Sequence, residues 1–128
     1  MIIQNKFQVE SWDEKTQKEF SKESKINRAI VKQKYNGDIE GTSIVEYVMY
    51  YLTPSSSKFV GIEYFEGNIN GKSGRLTFQH NGKFEDGVAS SDFTIIHGTE
   101  KLQGLSGKGS FKTINHTEAE YKIELIEV

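Results

Sequence analysis

Four dipeptides typical of tight β-turns lie between residues 36 and 87, and they constrain the fold more than any other feature of the chain. They are Asn36-Gly37, Asn70-Gly71, Asn81-Gly82 and Asp86-Gly87. Asn, Asp and Gly tolerate the positive φ that two-residue hairpin turns require. The pattern therefore predicts a series of antiparallel hairpins.

Three further connections are predicted at Thr53-Pro54-Ser55-Ser56-Ser57, from Gly98 to Gly107 and at Asn115-His116. The eight segments that remain are rich in Val, Ile, Thr and Tyr and are predicted to be strands. The last of them alternates most clearly, since Glu118, Glu120 and Lys122 are separated by apolar residues. Residues 13–24 carry Phe20 as their one apolar anchor, and we expect a loop or a short helix there. The predicted strands span residues 5–12, 25–35, 38–52, 58–67, 73–80, 88–97, 108–115 and 118–127.

Sequential antiparallel strands with short connections either close into an up-and-down barrel or split into a two-sheet sandwich. Closure is favoured because it removes the sheet edges that could pair with other chains. A barrel of about eight strands has room for packed side chains or for one small ligand. The sequence therefore predicts an all-β, eight-stranded antiparallel up-and-down β-barrel, with residues 1–128 as a single domain.

The chain contains no cysteine among its 128 residues, which excludes disulfides, cysteine nucleophiles and cysteine-ligated metals. Sixteen basic and 18 acidic residues give a net charge of -2, so we expect neither a nucleic-acid nor a membrane partner. The three histidines lack metal-site spacing, and we expect no metal and no cofactor. Because the start of the chain lacks the long apolar stretch of a signal peptide, a cytoplasmic location is expected.

A two-residue turn at Asn36-Gly37 would pair Tyr35 with Asp38 and would fix which face of each flanking strand looks inward. One face of the preceding strand carries long cations, which belong in water. These cations are Arg28, Lys32 and Lys34. The opposite face, which includes Gln33, is therefore predicted to line the interior.

The same register assigns the two faces of the strand that follows the turn. Its predicted interior residues are Glu46, Val48 and Tyr50. Its predicted exterior residues form an apolar stripe, Val45, Tyr47, Met49 and Tyr51. Because monomers seldom expose such a stripe, we expect a homo-oligomer built partly on it. The alternative is that residues 13–24 fold back and cover the stripe through Phe20.

Six segments of the chain form a recognisable set in their order and spacing. They are Ser11-Trp12-Asp13-Glu14-Lys15, Gly37-Asp38-Ile39-Glu40-Gly41, Val45-Glu46-Tyr47, Phe59-Val60-Gly61-Ile62-Glu63, Phe78-Gln79-His80-Asn81-Gly82-Lys83-Phe84-Glu85-Asp86-Gly87 and Leu102-Gln103-Gly104-Leu105-Ser106-Gly107-Lys108-Gly109. Together they resemble the bacterial domain-of-unknown-function family 3224 (DUF3224), from Trp12 to about Tyr121.

The resemblance implies an eight-stranded barrel similar to that of plant allene oxide cyclase. It implies no activity, because the family has none assigned. The chain has no cysteine, and its one proline, Pro54, lies in a predicted loop. The resemblance therefore offers no positions on which to place a cyclase site.

Glu46, Glu63 and His80 are the candidate catalytic residues. A carboxylate inside a mostly apolar barrel loses hydration, its pKa rises, and it can act as a general acid or base. Each also has an argument against a catalytic role. Unpaired charges such as that of Glu46 avoid interiors, Glu63 can face water, and His80 can lie on the barrel rim. The sequence leaves open whether Gln79 or His80 faces the interior, because that depends on the length of the turn at Asn81-Gly82.

Three functions from different classes fit these observations. The first is a barrel that binds a small hydrophobic molecule in its interior through one or two polar anchors. The second is an isomerase or cyclase-type enzyme that uses an interior Glu and His for proton transfer, and the third is a filled barrel that acts only as an interaction module. Binding is preferred, because an enzyme needs convergent acid–base groups in addition to a cavity. The predicted ligand-binding residues are Gln33, Glu46, Tyr50, Glu63, His80 and Tyr121.

Overall fold

A computed structural model describes residues 1–126 of the chain. These residues form eight β-strands and one 3-10 helix, Glu100–Leu102. The strands are β1 (Ile2–Glu19), β2 (Lys25–Tyr35), β3 (Ile39–Thr53), β4 (Ser56–Ile69), β5 (Lys72–Glu85), β6 (Val88–Gly98), β7 (Ser106–Thr113) and β8 (Glu118–Ile126). The predicted end of the last strand, residue 127, lies outside the described residues.

Each strand pairs antiparallel with the next strand in sequence, and β1 pairs with β8 to close the sheet. The closing ladder runs from Ile2 opposite Glu124 to Gln8 opposite Glu118. This closure confirms the predicted all-β, eight-stranded antiparallel barrel. Within residues 1–126, the structure contains no helix that is long and apolar enough to cross a membrane.

Two of the predicted hairpin turns are present with both central residues at positive φ. Asn70 and Gly71 have φ values of 49° and 83°, and Asp86 and Gly87 have values of 49° and 84°. These values fit a type I′ turn, whose twist matches that of the flanking strands. The two dipeptides therefore connect β4 to β5 and β5 to β6.

The predicted turn at Asn81-Gly82 is wrong, because β5 continues through both residues to Glu85. Gly82 pairs with Phe59 of β4 and with Ser91 of β6. A Cβ at Gly82 would lie 2.6 Å from Phe59 Cζ and 2.3 Å from the backbone oxygen of Ser90. The glycine is therefore required for the close approach of a ring inside the barrel and not for a turn.

The predicted loop or short helix at residues 13–24 is also wrong over most of its length. β1 continues to Glu19, and its second half pairs with β2. Backbone hydrogen bonds to β2 hold this polar segment in the sheet, so it needs no apolar face of its own. A β-bulge after Val9 shifts the alternation of side chains, and Trp12 and Glu14 line one open end of the barrel.

The connection between β2 and β3 is longer than a two-residue turn. Tyr35 pairs with Gly41 rather than with Asp38, so the register differs from the predicted one by three residues. Because side chains alternate with a period of two, this odd shift exchanges the two faces of β3. The predicted orientation of β2 is confirmed, since its cations are exposed and Gln33 is buried. The predicted orientation of β3 is wrong.

The exchange moves every β3 residue named in the prediction to the opposite side of the barrel wall. The predicted exterior stripe, Val45, Tyr47, Met49 and Tyr51, is buried in the interior. The predicted interior residues Glu46, Val48 and Tyr50 lie on the outer side of the wall. An oligomer contact cannot form through the predicted stripe, because the chain itself covers those side chains.

Aromatic rings fill most of the barrel interior, and several lie over a glycine on a neighbouring strand. The Tyr47 ring covers Gly61, where a Cβ would lie 2.5 Å from Tyr47 Cδ1. The Phe93 ring covers Gly109 in the same way, since a Cβ there would lie 2.5 Å from Phe93 Cζ. A position without a side chain lets a large ring of the next strand occupy the same narrow space. The interior is therefore a packed core.

Replacing Gly82 by Ala is expected to destabilise the barrel, because the new methyl group would overlap a ring and a backbone oxygen. We expect a loss of about 3 kcal/mol in the free energy of unfolding, measured by denaturant titration. The matched control is Gly87→Ala, where nothing lies within 4 Å of the Cβ position. There only the positive φ is unfavourable, and the loss should be about 1 kcal/mol. Equal losses for the two variants would contradict the packing role of Gly82.

Candidate functional site

A chain of hydrogen bonds between polar side chains crosses the barrel interior. His80 on β5 lies 2.7 Å from Glu63 on β4, measured from Nε2 to Oε1. The other ring nitrogen of His80, Nδ1, lies 3.1 Å from Ser91 Oγ on β6. The second carboxylate oxygen of Glu63 accepts a hydrogen bond from the Tyr35 hydroxyl of β2 at 2.6 Å. We call Tyr35, Glu63, His80 and Ser91 the luminal polar chain.

The hydroxyl of Ser91 lies within hydrogen-bond distance of two groups. Its oxygen is 3.0 Å from the backbone carbonyl oxygen of Asp92 and 3.1 Å from His80 Nδ1. The Tyr35 hydroxyl donates to Glu63. A proton between His80 Nε2 and Glu63 Oε1 joins these two side chains at 2.7 Å. The hydrogen bonds that both side chains make allow them to be buried.

All four side chains of the luminal polar chain are buried, and aromatic rings surround the contact between Glu63 and His80. The rings whose centroids lie 5.0 to 5.8 Å from that of His80 include Phe93, Phe111 and Tyr47. Burial raises the pKa of Tyr35 well above its ordinary value, and the neighbouring Glu63 raises it further. The Tyr35 hydroxyl is therefore a permanent donor at neutral pH.

The free space beside the luminal polar chain is small. A cavity of about 10 Å³ lies against Glu63, His80 and Tyr121, and such a volume holds at most one water molecule. The Tyr121 hydroxyl is buried without a hydrogen-bond partner among residues 1–126. Burial, with a smaller effect of Asp38, raises the pKa of Tyr121 to about 12. The interior thus has groups that can exchange a proton but no room for a substrate.

The structure brings together four of the six residues predicted to bind a ligand. Glu63 and His80 are in direct contact, and Tyr121 faces the same cavity. Gln33 is buried beside them, and its side-chain oxygen lies 3.4 Å from the Tyr35 hydroxyl oxygen. The sequence left open whether Gln79 or His80 faces the interior. In the structure His80 is buried in the interior and Gln79 is exposed. A role for these four residues in ligand binding stays a prediction.

The predicted interior position of Glu46 and Tyr50 is wrong, because the longer connection between β2 and β3 turns both side chains outward. Glu46 forms an ion pair with Arg28 and accepts a hydrogen bond from the Tyr64 hydroxyl at 3.1 Å. The hydrogen bond from Arg28, followed by that from Tyr64, lowers the pKa of Glu46. A carboxylate on the outer wall with a lowered pKa cannot serve as a general acid inside the barrel.

A second site lies at the open end of the barrel where the bulge in β1 places Trp12 and Glu14. We call this cavity the mouth pocket; its volume is about 370 Å³, within the range of cavities that bind small molecules. Its walls are mostly apolar, and the polar lining residues besides Glu14 are Tyr51, Thr113, Asn115 and His116. The apolar lining includes Val9, Trp12, Met49, Phe84 and Ala89.

Glu14 contributes a carboxylate to the wall of the mouth pocket. Its Oε1 accepts a hydrogen bond from Trp12 Nε1 at 2.8 Å, and its Oε2 accepts from the Tyr51 hydroxyl at 2.8 Å and from the Asn27 amide. Burial alone would raise the pKa of Glu14, but these hydrogen bonds and the charge of Lys25 lower it overall. Glu14 is therefore ionised at neutral pH, and Oε1 retains a lone pair for a further donor.

Three residues of these two sites carry weak sequence signals. Glu14 lies in a segment without apolar periodicity, and its closeness to the single tryptophan, Trp12, is the one signal that marks it. Tyr35 lies two residues from Gln33 on the face predicted to look inward, so the same alternation identifies it. Ser91 lies in a short polar segment, and nothing in the sequence distinguishes it from its neighbours.

A larger depression of about 520 Å³ lies on the outer wall between β5 and β8. Polar and charged side chains stand around it, with Asp92, Lys108, Lys122 and Glu124 among the lining residues. Among the described residues, no three His, Asp or Glu side chains lie close enough together to hold a metal ion.

A closed eight-stranded barrel with a packed interior and a pocket at one end defines the class of this protein, a small all-β barrel. Within that class, the chain belongs to the family described as protein of unknown function (DUF3224), whose sequence profile matches residues 3–125. The match confirms the resemblance seen in the sequence segments.

A solved structure shows the same fold. It is a protein of unknown function from the DUF3224 family of Shewanella oneidensis MR-1, with a TM-score of 0.77 and 19% sequence identity. The superposition covers 100% of this chain and 98% of that chain. No functionally curated protein matches the chain. These similarities establish family and fold and assign no activity.

Removing one partner of the contact between Glu63 and His80 is expected to destabilise the protein, because the other polar group stays buried and unpaired. We expect Glu63→Leu and His80→Phe each to lower the free energy of unfolding by about 3 kcal/mol. The double variant leaves neither partner, so its loss should be smaller than the sum of the two by about 1 kcal/mol or more. Denaturant titration of the four proteins measures these values. Additive losses would show that the two side chains do not act as a pair.

Proposed function

We propose that the protein binds a small, largely hydrophobic molecule in the mouth pocket, with Glu14 as the polar anchor. The observation that carries this proposal is an apolar cavity of about 370 Å³ with an ionised carboxylate in its wall. The apolar walls supply affinity by removing ligand surface from water, and the charged group in the wall fixes the orientation of the ligand. The expected ligand is an apolar molecule that carries one N–H or O–H donor.

This site differs from the one predicted from the sequence, which lay in the barrel interior. The interior beside Glu63 and His80 offers about 10 Å³, whereas the mouth pocket has room for a ring system. The mouth pocket, like the site predicted from the sequence, is a hydrophobic cavity with a polar anchor. The anchor is now Glu14. The side chains of Met49 and Phe84 form the boundary where the packed interior ends and the pocket begins.

Proton transfer is a second candidate function, favoured by the 2.7 Å contact between Glu63 and His80. A titratable pair can pass a proton to a substrate only when the substrate comes within hydrogen-bond reach. The rings of Phe93 and Phe111 stand around the pair, so an isomerase or cyclase reaction requires them to move aside. Binding in the mouth pocket requires no such movement and is therefore preferred.

N-phenyl-1-naphthylamine is a suitable probe, because it is apolar, carries one N–H donor and fluoresces strongly in an apolar environment. Trp12 is the only tryptophan of the chain and lies in the wall of the mouth pocket. We therefore expect saturable probe fluorescence that is sensitised by excitation of Trp12. The Glu14→Gln variant should bind about tenfold more weakly, because it lacks the charged acceptor.

Glu10→Gln is the matched control, because Glu10 is exposed on the same strand as Glu14. This variant should bind the probe with the affinity of the wild type. Ala89→Leu tests the location independently, since the larger side chain would fill part of the pocket and should also weaken binding. The proposal fails if the wild type gives no sensitised emission. It also fails if the wild type and the Glu14→Gln, Glu10→Gln and Ala89→Leu variants all bind the probe with equal affinity.

A further inference from the structure

The negative charge of Glu14 in the mouth pocket is not neutralised by direct contact with a cation. The groups that donate hydrogen bonds to its carboxylate are all neutral, namely the Trp12 indole N–H, the Tyr51 hydroxyl and the Asn27 amide. Exposed carboxylates elsewhere on the barrel form ion pairs with Arg or Lys. No Lys or Arg side chain among residues 1–126 forms such a pair with Glu14.

The positive charge of Lys25 acts on Glu14 from a distance. Its ammonium nitrogen lies 5.1 Å from the centroid of the Tyr51 ring, and Lys25 is not part of the pocket lining. Lys25 therefore weakens the negative potential at Glu14 without occupying the pocket. Its position also shows that an ammonium group can lie against a ring that lines the pocket.

The lining of the mouth pocket favours a positive charge over a negative one. Glu14 is its one acidic residue, and the described part of the chain contributes no Lys or Arg to it. His116, on the turn between β7 and β8, is the one lining residue that can become cationic. Three aromatic side chains, Trp12, Tyr51 and Phe84, also line the pocket, and the face of an aromatic ring attracts a cation.

We propose that the ligand of the mouth pocket is a hydrophobic amine, an apolar molecule that carries one positively charged ammonium group. This inference rests on the proposed function, because it names the class of molecule that the same pocket binds. A ligand that fills the pocket removes water from Glu14, and a buried carboxylate without a counter-charge is unfavourable.

An ammonium group supplies what the Glu14 carboxylate lacks once the ligand has displaced water. It brings a counter-charge, and it brings an N–H donor for the free lone pair of Oε1. A neutral alcohol of the same shape brings only the donor, and an ionised carboxylic acid brings neither. The order of affinity for matched compounds is therefore amine, then alcohol, then carboxylate.

Three compounds that share a naphthalene ring and differ in charge test this order. They are 1-naphthylmethylamine, 1-naphthalenemethanol and 1-naphthoate. At about pH 7.5 the amine is protonated, whereas an ordinary histidine is mostly neutral. Calorimetric titration of the full chain measures each affinity. We expect the amine to bind about tenfold more tightly than the alcohol, because a charged hydrogen bond is stronger than a neutral one, and the naphthoate to bind most weakly.

Two variants assign the preference for the amine to the carboxylate of the pocket. Glu14→Gln keeps the length of the side chain and removes its charge, so it should bind the amine and the alcohol with about equal affinity. Glu10→Gln removes an exposed charge from the same strand and should keep the wild-type preference. Circular dichroism checks that both variants are folded, and the comparison of the three compounds on the wild type depends on neither.

The outcomes separate this inference from the proposed function. Equal binding of the amine and the alcohol by the wild type would overturn the inference and leave a pocket for hydrophobic molecules. A preference for the amine that persists in Glu14→Gln would also overturn it, because the carboxylate would then not be its source. If the wild type bound none of the three compounds, the proposed function would fail together with the inference.

Discussion

The pairing of Tyr35 with Gly41 decides which side of β3 lines the barrel, and much of the remaining structure depends on it. In this register Tyr47 fills the interior and lies over Gly61 of the next strand. Val48 then faces outward. Side chains alternate along a strand, so a shift of β3 by one residue against β2 would turn the Tyr47 ring outward. It would also bury Glu46, which forms the ion pair with Arg28 on the outer wall.

Since rings fill the interior, the polar groups that remain there must satisfy one another. Tyr35, Glu63, His80 and Ser91 belong to β2, β4, β5 and β6, so their hydrogen bonds join four strands across the barrel. A slipped register on any of these strands would leave a buried polar group without a partner, which is unfavourable. The same packing leaves space for a ligand only where the rings end, at the mouth pocket beside Glu14.

The number of strands and the closure of the barrel could be predicted because turn dipeptides and side-chain alternation act locally. Asn81-Gly82 has the same local signal as a turn, but its role is set by Phe59 on another strand. The β2–β3 connection is also shaped from a distance, since the Asp38 carbonyl accepts a hydrogen bond from the backbone N–H of Asn70. In the candidate site, His80 and Glu63 could be identified by residue type. The mouth pocket could not, because a bulge in an apparently irregular segment creates it.

Nuclear Overhauser contacts between backbone protons of β2 and β3 test the register most directly. The register described here predicts contacts that link Val31 to Val45 and Ala29 to Tyr47. Contacts that link Val31 to Thr42 and Ala29 to Ile44 would contradict it. They would place the outward side of β3, with Glu46 and Val48, in the barrel interior and remove the basis for the packed core.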